Sequence, residues 1–101
     1  FIDLMKTFNR PIFCTEYLAR PFGSTFETVM PVLKKEKVAA YDFGLVKGAM
    51  QCHYEWNKVD ADGNKIPFTE EPDLWFHDIL YPDGTPYNVS EVGFIKSITK
   101  K

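Results

Sequence analysis

Pro11-Ile12-Phe13-Cys14-Thr15-Glu16-Tyr17 is a short, continuous apolar run that ends in polar groups. Unbroken apolar residues over such a length mark a strand buried on both faces, as in a parallel sheet. A second run of the same kind, Val38-Ala39-Ala40-Tyr41-Asp42-Phe43-Gly44-Leu45-Val46, lies downstream. Between them Ser24 offers an N-cap, and Glu27 three residues later completes a capping box. Phe26, Val29, Met30 and Leu33 then recur at helical spacing, predicting a helix over 25–36 with a kink at Pro31. Lys34, Lys35 and Lys37 gather near its C-terminal end, where cations oppose the helix dipole. Strand, helix and strand with a crossover of this length form a βαβ unit, hence parallel strands.

Outward from this unit the pattern is less regular. Ile2, Leu4, Met5 and Phe8 read as one face of a helix over 1–9, stopped by Asn9-Arg10-Pro11. Arg20-Pro21-Phe22-Gly23 is a loop, and a long aromatic loop spans 47–75 with a turn at Asp62-Gly63. Trp75 to Leu80 is a short apolar element closed by Pro82-Asp83-Gly84. A final helix starts near Ser90 and is expected to bury Val92, Phe94, Ile95 and Ile98. Two parallel strands leave two sheet edges open, whereas parallel sheets are normally covered. The chain is therefore expected to need more protein, either from elsewhere or by self-association of its sheet edges.

The 101 residues suffice for one domain. A net charge of −2 and the lack of a basic stripe argue against a nucleic-acid partner. No stretch approaches the roughly 18 apolar residues of a membrane span, and no signal peptide is visible. A first residue of Phe1, inside a helical pattern, suggests a processed or truncated product. Cys14 and Cys52 are too few for a disulfide framework, and Cys14 reads as a small buried thiol. Nine Phe, five Tyr and two Trp supply core, and equally platforms on which sugar faces stack.

Glu16 is the principal chemical candidate. A carboxylate at the C-terminal end of a buried strand faces the mouth where α/β-barrel sites are built; the plain alternative is an exposed glutamate or one paired with Arg20. Retaining glycosidases place two carboxyl groups roughly 5–5.5 Å apart. Asp42 is the nearest second carboxylate in pattern, but it alternates with Tyr41 and Phe43 and so points either way.

Arg10-Pro-Ile-Phe-Cys-Thr-Glu-Tyr-Leu-Ala-Arg20, with Ser24-Thr-Phe-Glu27 after it, is similar to the seventh strand and helix of clan A glycoside hydrolases. Tyr41 to Gly48 resembles the eighth strand and its loop. Leu74 to Ile79 with Asp83 to Tyr87 resembles the run into the last helix, so the likeness covers nearly the whole chain. It implies an α/β fold, the last two βα units of an incomplete (β/α)8 TIM barrel spanning 1–101. It also implies a cellulase- or xylanase-like bacterial enzyme acting on β-linked polysaccharide in a secreted or periplasmic setting, without a cofactor. Glu16 would be the nucleophile. The acid/base glutamate of an Asn-Glu pair has no counterpart here, since no Asn-Glu occurs in the sequence.

The same resemblance makes Tyr17 and Arg20 neighbours that orient the nucleophile or contact sugar. Phe43 stands where the clan often carries Trp, keeping an apolar platform without the indole N–H. Gln51, Tyr54 and Trp56 fall in the loop after the eighth strand, as hydrogen-bonding and stacking groups. Each of these has a bland reading as loop-anchoring core. The alternative function is a non-catalytic carbohydrate-binding or assembly module.

Other signals are weaker. Asp60-Ala-Asp62-Gly-Asn64 imitates a calcium loop, yet Lys65 replaces the required Gly and Pro67 intrudes, so an Asx-rich turn accounts for it. His53 and His77 lack metal-ligand spacing, and His77 reads as hydrogen-bonded structure. Asn88-Val89-Ser90 matches a glycosylation sequon, with Ser90 also serving as a helix N-cap.

Overall fold

The computed structural model describes residues 1–55, 58–67 and 70–100. A short helix, α1 (Ile2–Lys6), precedes β1 (Phe13–Cys14); a one-turn 3-10 helix (Arg20–Phe22), α2 (Phe26–Lys35), β2 (Ala39–Ala40) and α3 (Val89–Thr99) follow. β1 and β2 pair in parallel, Phe13 with Ala39 and Cys14 with Ala40. Flanking bonds run from Ala39 N to the Ile12 carbonyl and from Tyr41 N to the Cys14 carbonyl. The β–α–β order and its parallel sense are as the apolar pattern anticipated.

The barrel is not. Among the described residues the sheet has two strands of two residues each, α2 is the helix packed against it, and nothing repeats as a barrel unit. The last two βα units of a (β/α)8 TIM barrel are therefore the wrong description of this α/β chain. The physical reason lies in the two apolar runs. Neither is buried on both faces, for Phe13 is 60% exposed and Tyr41 54% exposed, stacked on each other with ring centroids 6.2 Å apart. The ladder ends early because each chain turns away. Beyond Tyr17, Ala19 bridges back to Ser24, and beyond Asp42, Gly44 adopts φ +104°.

The core forms on one side of this small sheet. Leu18, Phe26 and Ile79 make its buried centre, and Tyr17, Met30, Leu80, Val92, Phe94 and Ile95 pack around them. The last helix is thus only half-buried on its apolar face, short of the full burial that its pattern predicts. Its N-cap is Asn88, whose side chain accepts from Glu91 N at 3.1 Å, rather than Ser90. α1 is shorter than its pattern and buries none of its residues.

α2 begins one residue later than the motif suggests. Thr25 is the N-cap and forms a reciprocal box with Thr28: Thr28 N donates to Thr25 Oγ1 at 3.3 Å, and Thr25 N to Thr28 Oγ1 at 2.9 Å. The Ser24 side chain is turned instead to the Tyr17 carbonyl, to which its hydroxyl donates. The helix continues through Pro31, which cannot donate to the Glu27 carbonyl. Thr25→Ala should remove about 1 kcal/mol of stability, read as a lower urea midpoint at unchanged slope; Ser24→Ala should leave the helix start intact by circular dichroism.

The C-terminal half is held mainly by loops around Trp75, which is 2% exposed. Tyr87 stacks on it at 4.4 Å and 11°, Tyr81 meets it edge-on at 4.8 Å, and His53 lies 5.5 Å away. The 45–47 strip joins 79–80 through Ile79 N and Leu80 N to the Leu45 carbonyl and Lys47 N to the Leu80 carbonyl. Cys14 and Cys52 are both free thiols, the first half-buried and the second buried.

Candidate functional site

The chain leaves β1 at Cys14 and presents Glu16 exposed, two residues past the C-terminal end of the strand. Ligands of parallel α/β sheets bind outside this end of the strands. From here the side chains change sides. Tyr17 turns half inward, edge-on to Phe26 at 5.8 Å and 83°, and Leu18 is in the core. Burial, with help from the charge of Asp42, pushes the Tyr17 hydroxyl up to about 12, so it stays protonated as a possible donor.

Arg20 is buried and engaged with Glu91 and Trp75. Its Nε donates to Glu91 Oε2 at 2.9 Å and its Nη2 to Glu91 Oε1 at 2.6 Å. Nη1 donates to the Trp75 carbonyl at 3.1 Å, and the guanidinium lies 5.0 Å from the Tyr87 ring centroid. This bidentate fork joins the 3-10 turn to the first turn of α3. Arg20 therefore braces the fold.

Phe43 and His77 bring the next strand end towards Glu16. Their rings meet edge-on at 5.6 Å, and the charge of Glu16 acts on His77. Burial outweighs that charge and lowers the His77 pKa, keeping the imidazole neutral at neutral pH. The Glu16 carboxylate thus lies just past the strand end, and its charge reaches a neutral imidazole that Phe43 packs against.

The loop candidates stand apart. Gln51 is exposed with φ +55°, its N–H bonded to the Gly48 carbonyl at 3.0 Å. Tyr54 lies 4.3 Å from the His53 ring and lines a cleft of about 420 Å³ with Pro21, Lys58, Ile66, Glu71 and Leu74. Trp56 lies outside the described residues. Asp60 closes its turn by accepting from Asp62 N and Asn64 N, both at 2.9 Å, which is the Asx geometry that its sequence calls for.

A second group was not singled out from sequence. Asp78 and His53 are buried, with His53 Nδ1 3.5 Å from Asp78 Oδ2 and His53 Nε2 3.7 Å from Glu71 Oε2. Glu71 pairs with Lys47 at 2.6 Å. Asp42 feels the charges of both Glu91 and Asp78, so these carboxyls form a set distinct from Glu16. Only the Trp75-Phe76-His77-Asp78 run hinted at them, because polar residues inside an apolar element must find partners.

No protein-family model matches the chain, and no curated protein or solved structure matches it significantly. The likeness to clan A hydrolases accordingly stands on the motifs quoted above.

Proposed function

We propose that the chain contributes the nucleophile of a retaining glycoside hydrolase acting on β-linked glycans, with Glu16 in that role. The observation that carries this reading is the exposed Glu16 carboxylate just beyond the C-terminal end of a parallel strand, its charge reaching His77, on which Phe43 packs. A Glu16 oxygen attacks the anomeric carbon as the bond to the leaving oxygen breaks. A proton donor outside this chain protonates that oxygen, then as base helps water open the glycosyl ester. Phe43 offers an apolar edge to the sugar. Catalysis then depends on a partner polypeptide, and the setting is secreted or periplasmic.

A 2-deoxy-2-fluoro-β-glycosyl fluoride tests the nucleophile alone, because fluoride departs without a proton donor. Incubated with cellobiosyl and xylobiosyl reagents, the chain should gain one glycosyl mass on the peptide containing Glu16, and Glu16→Gln should gain none. Labelling elsewhere, or equal labelling of Glu16→Gln, removes the assignment. The cleft beside Tyr54 favours a second reading, glycan binding without turnover, which predicts saturable oligosaccharide binding with no adduct.

A further inference from the structure

The turn after β2 rests directly on the 77–79 segment. Phe43 meets His77 edge-on, Gly44 approaches so closely that an added Cβ would lie 2.5 Å from Asp78 Oδ1, and the Leu45 carbonyl accepts from Ile79 N at 3.1 Å. At the head of this turn sits Asp42. Both of its carboxyl oxygens are buried from water with no side-chain donor on either among the described residues, and the Phe43 backbone N–H is the donor that acts on them. A buried carboxyl with so little hydrogen bonding is tolerable when neutral and costly when charged.

The surrounding charges offer little relief. Arg20, on the 3-10 turn, is the cation acting on Asp42, and Glu91 of α3 already holds its fork. Glu91 and Asp78 act on Asp42 with like charge, while Tyr17 and Cys52, which also feel Asp42, are held neutral with raised pKa values. His53, at 3.5 Å, faces Asp78.

We propose that Asp42 is a proton-dependent latch: protonated, it lets the 42–45 turn lie on the 77–79 segment, and ionised it drives the two apart. The inference does not depend on the glycosidase reading. Burial pushes Asp42 up to about 7, above its unfolded value of 3.8. A raised folded pKa gives stability that is present below the unfolded value and lost as pH rises through the folded one, so the latch should loosen between about pH 4 and pH 7, its last step near pH 7. Asp78 is raised by burial and adds in the same direction. His77 is lowered and acts oppositely, losing stability as pH falls below about 6.5.

Amide hydrogen exchange on the full chain, corrected for intrinsic rates, tests this at about pH 6 and pH 8.5. Peptides covering 42–46 and 77–80 should lose about tenfold protection at the higher pH, the factor for one pK unit. Asp42→Asn, which cannot ionise, should keep its protection at both. Equal protection of the unaltered chain at both pH values, or an equal loss in Asp42→Asn, overturns the proposal. Should Asp42→Asn fail to fold, the carboxyl carbon shift of Asp42 in the unaltered chain decides: a titration near neutrality supports the latch, and one in the ordinary carboxylate range removes it.

Discussion

Arg20→Met should destabilise the chain by about 3–5 kcal/mol, the toll of leaving one partner of a buried ion pair alone. Glu91 would keep its place at the first turn of α3 with both oxygens stripped of their donors, and the Trp75 carbonyl would lose its bond to Nη1. Both side chains are about 95% buried, so water does not take over easily. Small domains have only about 5–15 kcal/mol in total, and the variant should be largely unfolded in a few molar urea. Arg20→Lys should fare little better, since an ammonium cannot reproduce the two-pronged contact. The double variant Arg20→Met/Glu91→Leu separates pairing from packing, because removing both charges should recover most of the loss. Equilibrium urea unfolding of the four species gives the coupling energy. A coupling under about 1 kcal/mol would place this pair with ordinary surface bridges.

That pair also shows where reading from sequence stops. The helix α2 was legible because its apolar spacing and terminal lysines are local, and so was the parallel sense of the strands around it. The placement of Glu16 just past a strand was legible for the same reason. The extent of the strands was not. An apolar run such as Pro11–Cys14 reports affinity for a sheet, but the number of ladder bonds depends on where the chain turns, and Ala19–Ser24 pairing and Gly44 decide that. Nor does hydrophobicity say which ring finds cover: Phe26 is in the core while Phe13 faces solvent. The N-cap moved from Ser24 to Thr25: the Ser24 side chain is turned to the Tyr17 carbonyl, and it is Thr25 Oγ1 that accepts from Thr28 N. Arg20 and Glu91 are 71 positions apart, with no pattern linking them. Their union draws Arg20 inward and leaves Glu16 without a cation from that side chain. The (β/α)8 expectation failed through the same gap, since motif order carries no information about how many strands a chain closes on itself.

Gly44→Ala should be the most damaging single-methyl change, at about 2–6 kcal/mol. Two costs coincide. At φ +104° an L-residue is held in a sparsely populated region, worth about 1–3 kcal/mol. Its Cβ would then lie 2.5 Å from Asp78 Oδ1 and 3.0 Å from Cys52 Cβ, an overpacking worth a further 1–3 kcal/mol or so. Asp78 is 1% exposed and cannot swing out to solvent, so the backbone of the turn must give instead. Gly63→Ala supplies the comparison: φ is +83° there, but an added methyl meets nothing within 4 Å, leaving the backbone cost alone. The difference between the two urea midpoints therefore isolates the contact with Asp78. If Gly44→Ala were no worse than Gly63→Ala, Asp78 would not be held against the turn. The close packing on which the Asp42 latch relies would then fail, whatever the Glu16 labelling showed.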